Sequence, residues 1–135
     1  MLKKPTSGKI KKAKRARPVY KAVSVQEDGK LMSLWVREGT EVAIPVNGLR
    51  KLTELKPLQY KPDHITSDGK YGIWCCTTLS GAKHQTISNG IGNTFRIYKA
   101  YPIGKQIIND TYFGDRYTIL YPAILLASEQ EEDSI

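Results

Sequence analysis

The sequence predicts an α+β domain, mainly an antiparallel sheet of about six or seven strands with one or two short helices, preceded by a basic extended N-terminal arm. Three observations carry that prediction. Short alternating apolar runs recur along the chain, Asp-Gly and Gly-rich turn signals separate them, and helical periodicity is confined to two brief stretches. The chain of 135 residues is 40% hydrophobic, which suits one domain with one modest core.

The arm comes first. Residues 1–17 combine Lys, Arg, Ala, Gly, Ser and Pro without apolar periodicity, so they are expected to stay extended or disordered until a partner binds them. Within them "IKKAKRA" has the composition for a turn or two of helix, too short to be stable alone in water. From Pro18 the pattern changes. "VYKAVSV" sets Val19, Lys21, Val23 and Val25 against Tyr20, Ala22 and Ser24, the alternation of a half-buried strand. "QEDGK" supplies a tight turn at Asp28-Gly29, and "LMSLWV" returns as its partner.

"EVAIPV" is a third strand, placed at an edge by Pro45. After Asn47-Gly48, "LRKLTEL" carries Leu49, Leu52 and Leu55 at helical spacing and stops before Pro57, which predicts a short helix. "SDGK" turns the chain into the buried strand "YGIWCC". "TLSGAKHQTIS" predicts a second short helix capped by Ser80 and ended by the Gly-rich "NGIGN". "TFRIYKAYPIG" resumes strand alternation. "RYTILYPAILLA" is a long apolar strand, or a pair of strands broken at Pro122, and belongs to the core. The domain organisation is thus an arm over 1–17, a globular unit over 18–128 and an acidic tail over 129–135.

Charge follows the same division. The net charge is +8, yet residues 1–26 hold nine cations and no acid, so the other twelve cations face all 13 acids and the remainder stands at −1. Four of those acids, Glu129, Glu131, Glu132 and Asp133, close the chain. The arm cations Lys3, Lys4, Lys9, Lys11, Lys12, Lys14, Arg15 and Arg17 are the candidate binding residues. Flexible cations neutralise phosphates and release counterions without choosing a sequence. The arm has no aromatic before Tyr20, so it offers no base stacking, and Lys outnumbers Arg, which suits diffuse attraction over bidentate recognition. The expected partner is therefore a nucleic-acid backbone, bound non-specifically, or an acidic protein surface within a larger assembly.

Other chemistries find little support. Gly-Lys occurs at 8–9, 29–30, 69–70 and 104–105, never in the spacing of a phosphate-cradling loop. The only cysteines, Cys75 and Cys76, are adjacent and so point to opposite faces of a strand, which suits neither a disulfide nor a chelate. With only His64 and His84 beside them, no four-ligand metal site is expected, and no cofactor. A Cys–His nucleophile using His64 or His84 is the reactive alternative; buried, inert thiols are the expected one. No apolar run is long enough to span a bilayer, and "MLKKPTSGK" lacks a secretory apolar core. A protein used inside a host cell or in a virion is expected, neither secreted nor in a membrane.

Two resemblances extend this reading. The order "YKA…DGKLMSLW…YKP…GKYGIWCCT…FRIYKAYPIG…RYTILYPAILLA", over residues 19–127, resembles small uncharacterised proteins encoded by tailed phages and large DNA viruses. It implies a viral origin and a structural, virion-associated or accessory role without an enzymatic activity. Separately, "VYKA", "CCTTLSGA", "RIYKAYPIG" and "EQE" look like a dilute ADP-ribosyltransferase layout. That family places a basic or His residue on its first strand, a Ser-Thr-Ser element in the middle and Glu-x-Glu near the last strand. The resemblance would give Thr77 and Thr78 the positioning of a nicotinamide ribose and Glu131 the stabilisation of an oxocarbenium-like centre. Here the first strand offers Lys21, the middle element reads Cys76-Thr77-Thr78, and "EQE" falls in the acidic tail. A third alternative is a protein-binding inhibitor of a host factor, using that tail or the aromatic strands around Trp35, Trp74 and Tyr98.

Overall fold

The computed structural model describes residues 2–33, 40–46, 49–55, 57–68, 72–88, 94–107 and 118–134. Its elements run β1 (Leu2–Lys3), α1 (Ser7–Ala13), β2 (Val19–Val25), β3 (Leu31–Met32), β4 (Thr40–Val46), β5 (Leu49–Leu55), β6 (Gln59–Tyr60) and β7 (Ile65–Ser67), then β8 (Ile73–Cys76), α2 (Leu79–Ser88), β9 (Thr94–Ile103), β10 (Thr118–Tyr121) and β11 (Ala123–Ser134). The predicted class holds: the strands pair antiparallel, and two short helices accompany them.

Among the described residues, nine strands form one sheet in the order β1-β7-β11-β9-β2-β3-β6, with β8 joining β2 and carrying β10 on its far side. The sheet curls into a nearly closed barrel. Its two flanks meet where the Thr66 hydroxyl of β7 donates to the Gln59 carbonyl of β6 at 3.4 Å. Ser33 stitches the same region, its amide donating to the Leu58 carbonyl at 2.9 Å and its hydroxyl accepting from the Leu58 amide at 2.8 Å.

β2 and β9 form the spine, paired from Val19↔Ala100 to Val25↔Thr94. Antiparallel partners share a face, so the inner face carries Val19, Val23, Tyr98 and Ala100. These pack with Leu31, Tyr60, Ile73, Cys75, Ile124 and Leu126 as the barrel core. The outer face of the same strands carries Ala22, Phe95 and Ile97, which with Cys76 are covered by Ala82 of α2. Both faces of the spine are thus buried, whereas the sequence pattern predicts burial on one. Ile124, Leu125 and Leu126 are fully buried, as expected of the apolar closing strand, and each contributes about 1.5–3 kcal/mol.

Turn chemistry explains several boundaries. Gly29, at φ +85°, closes the Asp28-Gly29 turn by donating to the Gln26 carbonyl at 2.9 Å. The chain breaks at Pro122, between β10 and β11, as the sequence predicts. The second helix forms, but its cap is Thr78 rather than Ser80. The Gly81 amide donates to Thr78 Oγ1 at 3.0 Å, because Leu79 already begins the helix and the capping oxygen must come from the residue before it.

The helix predicted over 49–55 is corrected outright. Residues Leu49–Leu55 are β5, paired with β4 from Val46↔Leu49 to Thr40↔Leu55 as a separate two-stranded sheet. Leucines three apart fit a single helical turn and also a strand, and Asn-Gly between two seven-residue runs is the signature of a two-residue hairpin connection. The hairpin signal outweighed a periodicity of only three residues. The expected "NGIGN" helix stop and Trp35 lie outside the described residues.

The acidic residues are also placed differently. The sequence leaves them in a solvated tail, whereas the backbone of β11 continues to Ser134, pairing Gln130↔Tyr98, Glu132↔Ile97 and Asp133↔Arg96 across two register shifts. Strand β9 offers an edge there, and its backbone groups supply the pairing.

Candidate nucleic-acid interface

Two elements, β1 and α1, lie within the arm. Leu2 and Lys3 pair with Thr66 and Ile65 of β7, and residues 7–13, expected to be extended or only marginally helical, form α1. Thr6 caps the helix, its Oγ1 accepting from the Lys9 amide at 3.4 Å, and Lys11 and Lys12 occupy the last turn, where cations complement the exposed carbonyls. Ile10, Ala13 and Ala16, spaced by three, are half-buried, and α1 lies against β9. A helix this short is marginal in water by itself. Here a cap, the β1 pairing and half-buried apolar residues accompany it.

The arrangement leaves the cations outward. Lys3, Lys4, Lys9, Lys11, Lys12, Lys14, Arg15 and Arg17 are all exposed. Among the described residues no carboxylate pairs with any of them; Lys30, by contrast, pairs through Nζ with Asp28 at 3.7 Å in the β2–β3 turn. Residues 3–17 thus carry eight exposed cations over fifteen positions and no acid. The acidic end of β11 lies elsewhere. The arm leads into β2 opposite Ala100, whereas Asp133 stands opposite Arg96, so the two charged segments meet different parts of β9.

The ninth cation of the basic stretch behaves differently. Lys21 is only 7% exposed, on the inner face of β2. Its Nζ donates to the Trp74 carbonyl at 2.6 Å and sits 5.2 Å from the centre of the Tyr60 ring. Desolvation pushes the Tyr60 hydroxyl above its usual range, against the Lys21 charge that favours the phenolate. Burial likewise pushes the Cys75 thiol up to about 12, with Lys21 again opposing. At neutral pH Cys75 is therefore a thiol sealed in the core, not a nucleophile. Cys76 is buried on the outer face beneath α2, so the adjacent cysteines face apart as expected. His84 is exposed on α2, and His64 Nδ1 lies 2.9 Å from the Pro62 carbonyl. Among the described residues no three His, Cys, Asp or Glu side chains gather.

The ADP-ribosyltransferase-like residues are not brought together. Thr77 and Thr78 are exposed at the end of β8, and the Thr78 hydroxyl is occupied as the α2 cap. Glu131 lies in β11, on the far side of the spine. Strands β2 and β9 intervene, three spacings or about 14 Å along the sheet. Of the aromatics in the inhibitor reading, Tyr98 is buried in the core and Trp74 half-buried.

Fold and surface together describe an antiparallel barrel-like α+β domain bearing a cation-rich N-terminal helix. No family model, no curated protein and no solved structure matches the chain. No described helix is long and apolar enough to cross a membrane.

Proposed function

We propose that this chain is a non-enzymatic, virus-encoded structural or accessory protein that holds a nucleic-acid backbone with its N-terminal segment. The observation that supports the reading is the exposure of all eight arm cations on a segment whose Ile10, Ala13 and Ala16 are half-buried. Such a surface attracts phosphates by charge and counterion release and is indifferent to base identity. The sequence resemblance to phage and large-DNA-virus proteins is the basis for the viral assignment. The barrel then serves as a rigid carrier that docks into an assembly.

The test is a salt titration of binding to mixed-sequence duplex DNA. With about six phosphates neutralised, the slope of log K against log salt is near −5. Changing Lys9, Lys11, Lys12 and Lys14 to Gln together removes about 3 to 4 from its magnitude. An unchanged slope in that variant sinks the arm's role.

A further inference from the structure

Residues 1–17 hold two hydroxyl side chains, Thr6 and Ser7, set among eight cations and no acid. Both are exposed. Thr6 stands in the short segment between β1 and α1, in extended backbone at φ −68° and ψ 161°. Lys3 and Lys4 precede it by three and two positions, and Lys9 follows by three.

Protein kinases select their acceptors in part by the charges that flank them. An exposed hydroxyl on extended backbone, with two cations just upstream, suits a kinase cleft lined by acids. Ser7 fits less well: Lys4 lies three positions before it but Pro5 lies at two, and Ser7 already opens the helix. Seating residues 3–9 in a cleft parts the two-residue β1 pairing and the first turn of α1, both short enough to open locally.

We infer that Thr6 is a phosphorylation site, and that its modification by a kinase reading Lys3 and Lys4 weakens the arm's hold on nucleic acid. This rests on the proposed nucleic-acid role and adds to it a modification site and a means of release. In the transfer, Thr6 Oγ1 forms a bond to the γ-phosphorus of a nucleoside triphosphate. The bond from that phosphorus to the β–γ bridging oxygen breaks, and the nucleoside diphosphate leaves with the electron pair. The hydroxyl proton passes to a carboxylate of the kinase. The product carries about −1.5 to −2 charge at neutral pH in place of a neutral hydroxyl. It competes with nucleic-acid phosphates for the nearby lysines, and each cation so engaged releases one counterion fewer on binding.

The experiment uses the full chain, magnesium ATP and a purified serine/threonine kinase of the class that requires cations two and three residues before its acceptor. Peptide mapping by mass reads the site, and the salt titration on duplex DNA reads the effect. Wild type takes one phosphate, on Thr6, and Ser7→Ala takes it equally. Thr6→Asn keeps a capping acceptor and takes none. Lys3→Gln with Lys4→Gln slows incorporation by about tenfold, the loss expected for two exposed charge contacts. Phosphorylation lowers the magnitude of the salt slope by about 2, whereas unmodified Thr6→Asn keeps the wild-type slope. No phosphate on Thr6, equal incorporation in the variant lacking Lys3 and Lys4, or an unchanged slope after modification each overturns the inference. Those failures leave the arm's role standing if the Lys9, Lys11, Lys12 and Lys14 variant loses slope. An unchanged slope in that unmodified variant ends the arm's role, and the release role with it, whatever the kinase does.

Discussion

Lys12 and Lys21 belong to one basic stretch and differ in nothing but environment, yet the fold assigns them opposite work. Lys12 is exposed on α1, where its charge stays in water and is available to a phosphate. Lys21 is buried on β2, where its charge is consumed by the Trp74 carbonyl and the Tyr60 ring. The difference teaches that a count of cations in a sequence is only an upper limit on a binding surface. A strand beginning at Val19 carries every second side chain into the barrel, and Lys21 falls on the inward set.

The sharpest way to break this comparison is to truncate each lysine and melt the protein. Lys21→Ala is expected to destabilise by about 2–4 kcal/mol, since it empties core volume and removes the hydrogen bond to the Trp74 carbonyl. Urea unfolding at constant m-value reads the loss; a change below about 0.5 kcal/mol, typical of surface sites, would show that Lys21 is not part of the core.

Next in size is a backbone effect at the barrel's β8–β10 side. Gly72 sits at φ +85°, and a Cβ there would lie 2.8 Å from Ile107 Cδ1. Gly72→Ala should cost about 1–3 kcal/mol, read from the same melts. A neutral result would mean that Ile107 yields freely and that this side is loosely packed.

A pH titration tests the buried cluster around Lys21 without removing it. The unfolded thiol of Cys75 ionises near its ordinary value of 9.0, and the folded one only at about 12. Stability is thus fully present below pH 9 and falls as pH rises through that window, by at most about 1.4 kcal/mol per unit from this group. Tyr60, also raised, adds to the fall above pH 10. Cys75→Val should flatten the curve between pH 9 and 10, where the tyrosines contribute little. A slope there that is the same in wild type and variant would place the thiol in contact with water.

The smallest effect is expected at the arm. Gln at Lys9, Lys11, Lys12 and Lys14 should shift stability by no more than about 0.5 kcal/mol, even as it removes most of the salt dependence of DNA binding. A large drop in melting temperature would mean that these cations hold the fold together, and the contrast with Lys21 would collapse.

Much of the fold was legible because it is written in local chemistry. The alternation of "VYKAVSV" and "TFRIYKAYPIG", the Asp28-Gly29 turn and the break at Pro122 all act over a few residues, and β2, β9, β10 and β11 appear where they predict. The short strands β6 and β7 were missed because two or three residues carry no periodicity, and they exist as strands only through neighbours far along the chain. The helix over 49–55 failed for a related reason. Three leucines cannot distinguish a helical turn from a strand, and Asn-Gly is compatible with a helix start as well as a hairpin turn; the pairing of β4 with β5 decides between them.

By itself the sequence determined the charge division of this protein, its antiparallel class and the opposite facing of its adjacent cysteines, because composition, alternation and covalent geometry are local properties. Only the tertiary structure decided which cations remain outside, that Thr77, Thr78 and Glu131 stand apart, that the acidic end joins β11, and that β4 and β5 form a ribbon on their own. Those outcomes depend on which strands become neighbours. Neighbourhood in a curled sheet is set by long-range pairing, which no window of residues contains.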